Sequence, residues 1–339
     1  MSDDSSSIDR AVIAAHRGAR ALVTGGTGFV GTHLCRLLQK SGWTVWSASR
    51  GASGPAFAHR HWQVDLADAE TTRALVTSTR PDYVFHLASH VWATTGIDAV
   101  LPTFQSNLYS TVNLLHALAG TNCRRVVVAG SQIEAGERAG EAVRSVPYAL
   151  SKWASSEYVR MFHRLYQVPG VIARIFYVYG PGQNAAKLIP YVIGCVSRGE
   201  IPELTSGRSL ADWIYVDDVA HGLARMAVAR IAPGCTIDLG SGSLITAAEL
   251  VGKIYALLET DKQPVFGALP DRSVEPAHVA RIDETRRLLH WSPRVSLAEG
   301  LIRTIGWLRA SSESQAAPVA SRRWGAQSGP HPAGRPLNG

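Results

Sequence analysis

The sequence predicts an α/β fold: a Rossmann-type, doubly wound parallel sheet followed by a smaller C-terminal lobe that binds substrate. Two observations predict it. Short segments rich in β-branched residues alternate with helical segments through the first half of the chain. A glycine-rich run, ALVTGGTGFVG at 21–31, joins the first strand to the first helix. Ligands of such sheets bind beyond the carboxyl ends of the strands, so we expect the functional site there.

The strands follow one another at regular intervals. After the first strand and its helix, the expected strands are VWSAS (45–49), HWQVD (61–65), YVFHLAS (83–89), RVVVAGS (125–131) and VIARIF (171–176). Helical patterns at 111–119 and 151–167 separate the later strands. From about Gly180 the turn signals GPGQN, IPEL, APGC and WSPR predict a more irregular lobe, with helices near 185–198 and 296–309.

The predicted organisation has four parts: an N-terminal extension at 1–19, an NAD(P)-binding domain at 20–180, a substrate-binding lobe at 181–310 and a tail at 311–339. The tail is rich in Ser, Ala, Gly, Pro and Arg and has almost no aliphatic residues. Such a segment cannot bury enough apolar surface to stay ordered, so we expect it to be disordered.

Composition excludes several classes of protein. With 339 residues and 46% hydrophobic content, the chain can bury the core of one large domain or two closely packed ones. The four cysteines are scattered, which predicts neither disulfides nor a metal site and favours the cytoplasm. The formal charge of +7 is dispersed, so no nucleic-acid partner is expected. The N-terminus is polar and acidic, and no apolar run reaches membrane-spanning length, so no membrane association is expected either.

The glycine-rich run predicts a nucleotide-binding loop. Gly25, Gly28 and Gly31 follow a G-x-x-G-x-x-G spacing rather than the commoner G-x-G-x-x-G. Glycines let the backbone approach a pyrophosphate closely, and the helix N-terminus that follows offers free N–H groups and partial positive charge. Its context between strand and helix favours this interpretation over that of an ordinary turn.

The end of the second strand bears on the choice of cofactor. An NAD enzyme usually places an acidic residue there, against the ribose 2′-hydroxyl. This chain has Ser49 and Arg50, a hydroxyl and a cation that suit a 2′-phosphate, so NADP(H) is the preferred prediction. The alternative is NAD(H), with Arg50 stacked on the adenine.

The segment PYALSK contains the strongest candidates for proton transfer. Tyr148 and Lys152 are four residues apart at the start of a helix, so their side chains share one face. An adjacent ammonium stabilises a phenolate and makes the tyrosine a usable acid or base. The preceding strand ends at Ser131, whose hydroxyl is expected to lie beside them, or alternatively to cap backbone groups.

Together these motifs resemble the extended short-chain dehydrogenase/reductases, in the NAD-dependent epimerase/dehydratase group that acts on nucleotide-linked sugars. The likeness runs from about Arg20 to Arg309. It rests on TGGTGFVG, the pair Asp65-Leu66, HLAS, SNLYSTVNLLHA around Asn107, AGS, YALSK, ARIFYVYGPGQ, DWIYVDDVA and RRLLHWSPRVSLAEGL. The resemblance also implies a homodimer formed through a bundle of helices.

The resemblance implies roles for individual residues. Ser131, Tyr148 and Lys152 would be the catalytic trio: Tyr148 exchanges a proton with the substrate oxygen, Ser131 hydrogen-bonds that oxygen, and Lys152 also holds the nicotinamide ribose. The expected cofactor site is Gly25, Thr27, Gly28, Phe29, Val30, Gly31, Ser49, Arg50, Asp65, Leu66, Leu87, Ala88, Ser89, Tyr148, Lys152, Phe176 and Val178.

Departures from the family pattern narrow the choice of reaction. Dehydratases of this group carry an Asp-Glu pair directly after the catalytic Ser or Thr, but this chain has Gln132 and Ile133, which disfavours a 4,6-dehydratase. Ala211 replaces an arginine that often binds the diphosphate, leaving Arg208 and Arg272 as substitutes. The predicted substrate-binding residues are Gln132, Glu134, Asn184, Arg208 and Arg272, although Glu134 and both arginines could equally be solvated charges.

The preferred prediction is an NADPH-dependent reductase of the 4-keto group of a nucleotide-activated 6-deoxysugar. The alternatives are a nucleotide-sugar 4-epimerase that retains NAD, a reductase of a non-sugar ketone, and a catalytically inactive cofactor sensor; the intact trio disfavours the sensor. We interpret Asp217-Asp218 as a helix cap rather than a metal pair, and His86 as a core residue.

Overall fold

A computed structural model describes residues 12–91, 94–134, 146–271 and 277–314. The chain divides into two compact units. The first comprises Met1–Gly180, Ala211–Leu244 and Glu275–Gly300, and the second comprises Pro181–Leu210, Ile245–Val274 and Leu301–Gly339. The chain leaves the first unit after Gly180, where the sequence also placed the end of the nucleotide-binding domain. It then returns to the first unit twice, with 211–244 and 275–300, two segments that the sequence assigned to the second lobe.

A seven-stranded parallel sheet organises the first unit; the sequence predicted the parallel sheet and six of its strands. Its strands are β1 (Arg20–Thr24), β2 (Thr44–Ser49), β3 (Arg60–Gln63), β4 (Tyr83–His86), β5 (Arg125–Ser131), β6 (Gly170–Ile175) and β9 (Thr236–Leu239). They lie in the order β3-β2-β1-β4-β5-β6-β9. The reversal between β1 and β4 creates the crevice in which doubly wound sheets bind nucleotides. Three short strands, β7 (Tyr177–Tyr179), β8 (Leu210–Tyr215) and β10 (Leu244–Thr246), form a second sheet.

The described helices are more numerous than the sequence predicted, and two of the predicted ones, at 151–167 and 296–309, are longer. They are α1 (Phe29–Lys40), α2 (Ala69–Thr79), α3 (Val100–Thr103), α4 (Ser110–Leu118), α5 (Pro147–Tyr166), α6 (Leu188–Ser197), α7 (Val216–Val228), α8 (Ala247–Leu257), α9 (Ile282–Leu289) and α10 (Leu297–Ser314). Helix α5 begins at Pro147 because proline suits the first turn of a helix. Helix α10 continues beyond Arg309, into the segment predicted to be a disordered tail. The rest of that segment, 315–339, lies outside the described residues.

Apolar side chains fill both faces of the large sheet. Ala21 and Val23 of β1 belong to a cluster with Leu34 of α1 and Leu223 of α7. Leu22, between them, belongs to another cluster, with residues of α2, α4 and α5 on the opposite face. This alternation follows from the two-residue repeat of a strand, and it fixes which helices cover each face.

The described part of the chain also bears on membrane spans, metal clusters and disulfides. None of its helices combines the length and apolar character needed to cross a bilayer. Within the same residues, no cluster of three or more His, Cys, Asp or Glu could hold a metal ion. All four cysteines are free thiols.

Candidate active site

The loop between β1 and α1 is shaped to receive an anion. Gly25 has φ +71°, and a Cβ there would lie 2.6 Å from the backbone nitrogen of Ala88. A Cβ on Gly31 would overlap the Gly25 carbonyl oxygen. Gly28 precedes α1 without a side-chain cap, and the first turn of α1 contains no acidic residue. The helix N-terminus therefore keeps its positive end for a ligand, which fits the pyrophosphate of a dinucleotide.

The loop after β2 carries the residues predicted to select the cofactor. Ser49 ends β2, and the exposed Arg50 follows it. Two side chains of the neighbouring chain segment position this loop. Gln63 donates from its amide to the Arg50 carbonyl at 3.1 Å, and His61 Nε2 lies 2.9 Å from the Gly51 carbonyl oxygen. Because a carbonyl only accepts, Nε2 carries the proton, and Ser47 Oγ can donate to Nδ1 at 3.1 Å. The sequence did not indicate this role of His61.

The other predicted cofactor residues follow neighbouring strands. Asp65 is exposed, while Leu66 is buried and accepts hydrogen bonds on its carbonyl from Thr72 and Asn113. Leu87, Ala88 and Ser89 follow β4 directly. Phe176 follows β6, and Val178 lies in β7. Thr27, Phe29 and Val30 lie in the loop and first turn that lead into α1. Binding of cofactor by these residues stays a prediction.

Asn107 connects three elements around the site. It lies in a π-helical turn, Phe104–Tyr109. Its Oδ1 accepts from the Ser89 hydroxyl at 3.0 Å and from the His90 N–H at 2.7 Å. Its Nδ2 donates to Ser151 Oγ at 3.0 Å. A π-helical turn frequently occurs at functional sites.

The structure brings the three predicted catalytic residues together. Ser131 is the last residue of β5, and hydrogen bonding by its hydroxyl favours the ionised form of Tyr148 and so lowers the pKa of that phenol. Lys152 lies one turn further along α5, where Nζ donates to the Ala129 carbonyl at 2.7 Å. Tyr148 and Lys152 are only 8% and 6% exposed. A hydroxyl, a phenol and an ammonium therefore converge at the carboxyl end of β5.

Burial dominates the electrostatics of this trio. It raises the pKa of Tyr148 to about 12, and the negative charge of Glu134 acts in the same direction. It lowers the pKa of Lys152 to about 8, against the opposing effect of Glu134. A buried phenol thus keeps its proton at neutral pH, while the ammonium is ionised but close to its transition.

Glu134 does not lie in solvent. It is only 8% exposed, so the alternative of a solvated loop charge is wrong. One carboxylate oxygen accepts from the Ser131 N–H, and the other accepts from the Ser156 hydroxyl at 2.7 Å. Burial raises the pKa of Glu134, and Ser156, Lys152 and Arg174 oppose that effect. Its partners are groups of the protein, and a contact with a sugar stays a prediction.

The remaining predicted substrate residues occupy varied positions. Gln132 is half-buried in the short turn Gln132–Glu134. In the second unit, Asn184 is exposed and accepts from the Ala186 N–H at 2.9 Å. Arg208, also in the second unit, has a side chain 83% exposed and forms an ion pair with Asp271 at 3.2 Å. Arg272 lies outside the described residues.

The two acidic residues predicted to cap α7, Asp217 and Asp218, instead bind groups that are distant in the sequence. Tyr215 occupies the capping position, and no side chain caps the helix. Asp217 Oδ1 lies 2.6 Å from His33 Nδ1 and forms an ion pair with Arg36 at 3.0 Å, both residues being on α1. Asp218 accepts from the backbone N–H groups of Arg294 and Val295. The helix-cap prediction is wrong because long-range partners, which local sequence does not reveal, hold both carboxylates.

His86 is a core residue, as the sequence predicted. Its Nδ1 lies 2.7 Å from the Thr24 hydroxyl and its Nε2 lies 3.0 Å from the Thr111 hydroxyl. Burial, with a smaller effect from Lys152, lowers the pKa of His86 to about 3. This histidine therefore stays neutral and takes no part in proton transfer near neutral pH.

Comparison with known proteins agrees with this geometry. Residues 21–240 match the model of the NAD dependent epimerase/dehydratase family. The chain belongs to this family. The match contains the glycine-rich loop, the trio and every strand of the large sheet except the first residue of β1. The chain is therefore of the extended short-chain dehydrogenase/reductase type, as the sequence motifs indicated.

Individual family members share the whole architecture. The dTDP-glucose 4,6-dehydratase of Neisseria gonorrhoeae is 28% identical over 329 residues, which cover 84% of this chain and 94% of that enzyme. The epimerase Mth375 of Methanothermobacter thermautotrophicus superposes with a TM-score of 0.80 at 29% identity, covering 91% of this chain and 97% of that one. The Bordetella bronchiseptica enzyme WbmF, solved with NAD⁺ and UDP, superposes with a TM-score of 0.77 at 26% identity, covering 89% and 95%.

Proposed function

We propose that this enzyme reduces the 4-keto group of a nucleotide-activated 6-deoxysugar with NADPH. One observation carries the proposal. Ser131, Tyr148 and Lys152 converge at one point, while Gln132 and Ile133 occupy the two places after Ser131 that hold the acid and base of a dehydratase. Relatives supply the substrate class, because one is a dTDP-glucose dehydratase and another was solved with UDP.

The trio supplies one proton to the carbonyl oxygen. The nicotinamide, when bound, supplies the hydride to the carbonyl carbon. Tyr148 donates its phenolic proton to the oxygen as negative charge develops there, and Ser131 hydrogen-bonds the same oxygen. The Lys152 ammonium stabilises the phenolate left on Tyr148. One hydride and one proton convert the ketone into an alcohol, so no further protein acid or base is needed.

Elimination of water needs more than the trio supplies. Removing a hydroxyl from one carbon and a proton from its neighbour requires an additional acid and base. An amide such as that of Gln132 does not ionise, and the aliphatic Ile133 cannot transfer a proton. We therefore propose reduction in preference to dehydration, although a 4,6-dehydratase is among the relatives.

A 4-epimerase that retains NAD is the second candidate. Its support is the 0.80 TM-score with the epimerase Mth375. Epimerisation uses the same proton transfer in both directions, and the cofactor regenerates in each turnover. The exposed Arg50 favours the reductase, since a cation at this position suits the 2′-phosphate of an exchanging NADPH.

Two measurements decide between these functions. The first is native mass spectrometry of freshly purified protein. The second is NADPH and NADH oxidation at 340 nm with dTDP- or UDP-linked 4-keto-6-deoxyglucose. The reductase should carry little bound cofactor and oxidise NADPH stoichiometrically with the keto sugar. Tightly bound NAD together with interconversion of UDP-glucose and UDP-galactose would overturn the reductase in favour of the epimerase.

The pKa of Lys152 predicts the pH dependence of reduction. The ammonium is the active form, so activity should be constant below about pH 8 and fall about tenfold per pH unit above it. Tyr148 remains protonated throughout this range, because burial raises its pKa to about 12. The measurement is kcat/KM from pH 6 to 10, with circular dichroism at each pH as the control for folding. A flat profile to pH 10 would contradict the assigned role of Lys152.

We also propose that the enzyme is a homodimer that covers an apolar surface of the first unit. Helix α5 exposes a stripe of large apolar side chains. Other exposed apolar side chains lie between Ile97 and Tyr109, a segment that contains α3 and the π-helical turn. Together these side chains are Ile97, Leu101, Phe104, Tyr109, Leu150, Trp153, Met161 and Leu165. A second copy would remove this surface from water, which is a large favourable effect.

The dimer proposal predicts the effect of a charge in the stripe. Leu165→Glu should raise the dimer dissociation constant by about thirtyfold or more, because a buried charge at an interface has no partner. Light scattering after size-exclusion chromatography measures the mass. Val265→Glu is the matched control, since Val265 is exposed to a similar extent, 51% against 59% for Leu165. A wild type that is monomeric at tens of micromolar would overturn the proposal.

A further inference from the structure

Glu134 is a buried acid that the proposed reaction does not use. It ends the short turn after β5, where its two carboxylate oxygens accept hydrogen bonds from two different elements. One bond comes from the N–H of Ser131, three residues earlier. The other comes from the hydroxyl of Ser156 on α5 at 2.7 Å. Two accepted bonds stabilise the ionised form of this carboxyl group, against the burial that raises its pKa.

Ser156, the hydroxyl donor to Glu134, lies on the same face of α5 as Tyr148 and Lys152. Tyr148, Lys152 and Ser156 succeed one another at intervals of four residues, so they lie along one face of the helix. All three are buried. Glu134 is therefore attached to the helix that carries Tyr148 and Lys152 and also to the backbone of Ser131.

Gly130 makes room for this carboxylate. A Cβ on Gly130 would lie 2.8 Å from Glu134 Oε1 and 2.8 Å from Ile172 Cγ2. The side chain of Glu134 thus packs against the backbone of β5 directly before Ser131. The packing of Glu134 against Gly130 is a second observation, independent of the hydrogen bonds, that places the carboxylate beside the end of β5.

The charges that act on Glu134 come from two elements. Helix α5 contributes Lys152 and the ionisable phenol of Tyr148, and strand β6 contributes Arg174. Arg174 Nε donates to Asp238 Oδ1 at 2.7 Å in a buried ion pair, and Asp238 also pairs with Arg281. Lys152 donates to a neutral carbonyl. Among the described residues, Glu134 is the acid whose charge raises the pKa of Lys152.

We propose that Glu134 is a positioning residue that holds Ser131 through its backbone N–H and supplies the negative charge that keeps the buried Lys152 ammonium protonated. The role rests on the proposed function, in which Ser131 and Lys152 serve the reacting oxygen. Glu134 touches neither substrate nor cofactor in this role. It acts through its two neighbours.

A purely structural role of Glu134 and an electrostatic role predict different effects of the same substitution on Lys152. If Glu134 only tied the turn to α5, then Glu134→Gln, which has almost the same shape and retains an acceptor, would leave Lys152 unchanged. If its charge matters, the same variant lowers the pKa of Lys152, because an opposite charge near an ammonium stabilises the charged form. The titration of Lys152 therefore separates the two roles.

The experiment is an NMR titration of protein labelled at the lysine Cε carbons. The chain has few lysines, Lys40, Lys152, Lys187, Lys253 and Lys262, so Lys152→Arg assigns the Lys152 signal by its loss. We expect Glu134→Gln to lower the titration midpoint of Lys152 from about 8 by about one pH unit. Glu157→Gln is the matched control on the same helix: Glu157 is exposed and pairs with Arg160, and its removal should leave the midpoint unchanged.

The outcomes distinguish this inference from the proposed function. A midpoint that moves by less than about 0.3 pH unit in folded Glu134→Gln overturns the role of Glu134, whatever the enzyme reduces. A lowered midpoint in an enzyme that reduces no keto sugar supports the electrostatic role and refutes the reductase. With an active enzyme, the alkaline limb of kcat/KM should move down by the same amount as the midpoint.

A second variant covers the case in which Glu134→Gln does not fold. Ser156→Ala retains the carboxylate but removes one of its donors, which raises the pKa of Glu134 and weakens its charge. The Lys152 midpoint should again move down, by a smaller amount. An unchanged midpoint in folded Ser156→Ala would then overturn the inference.

Discussion

Tyr148→Phe should retain its fold and its affinity for cofactor while losing turnover by about two orders of magnitude or more, as expected when a general acid is removed. The phenolic oxygen is the only atom that the substitution deletes. The ring is buried at the start of α5 and packs beside Val146 and Ala149, so the phenylalanine ring can occupy the same place. The steady-state rate of NADPH oxidation with the keto sugar is the measurement.

The comparison needs controls for folding and for cofactor binding. Melting temperature and titration with NADPH should match the wild type, because the phenylalanine ring retains the packing of the tyrosine beside Val146 and Ala149. Ser131→Ala is the companion variant, and it should lose less activity than Tyr148→Phe, since it removes a hydrogen bond but no proton donor. Turnover within a fewfold of the wild type in Tyr148→Phe would show that another group delivers the proton.

Arg50→Ala should raise the dissociation constant for NADPH by about tenfold to hundredfold, while that for NADH changes by less than about threefold. A guanidinium beside a 2′-phosphate forms charge-assisted hydrogen bonds, which the 2′-hydroxyl of NADH cannot replace. Arg50 is exposed at the end of β2, and His61 and Gln63 position its loop by bonds to backbone carbonyls. These bonds do not involve the Arg50 side chain, so the loop should survive the substitution.

Isothermal titration of both cofactors against both proteins tests the role of Arg50. Arg230→Ala, at an exposed arginine in the loop after α7, is the control for a general loss of positive charge. Equal losses for the two cofactors, or a wild type that prefers NADH, would refute the 2′-phosphate contact. Either result would also favour the epimerase that retains NAD.

Local patterns were sufficient for the strands of the nucleotide-binding half. β5 was predicted over the residues that form it. The prediction for β2 differs by one residue at its start, and that for β6 is shifted by one residue, because these β-branched runs are bounded by clear turn signals. β9 was not predicted. Its four residues, Thr236–Leu239, carry little local signal, and they pair with β6 across more than sixty residues of chain. Such long-range pairing depends on tertiary packing rather than on local propensity.

The trio could be predicted because its chemistry coincides with a local spacing, that of Tyr148 and Lys152 on one helix. Glu134 could not be understood in this way. In the sequence it is a single acid after a strand, and its burial depends on Ser156 and on the space above Gly130. One signal was available: Ser156 repeats the four-residue interval of Tyr148 and Lys152, which marks a buried polar face on α5.

The four-residue spacing of Tyr148, Lys152 and Ser156 also restricts insertions and deletions in α5. An α-helix turns about 100° per residue, so one residue inserted between Tyr148 and Ser156 would rotate everything after it by more than a quarter turn. Lys152 or Ser156 would then leave the row, together with the apolar positions Val159 and Phe162 that anchor the helix on the sheet. Single-residue insertions and deletions between Tyr148 and Ser156 should therefore be removed by selection, whatever substitutions the helix tolerates.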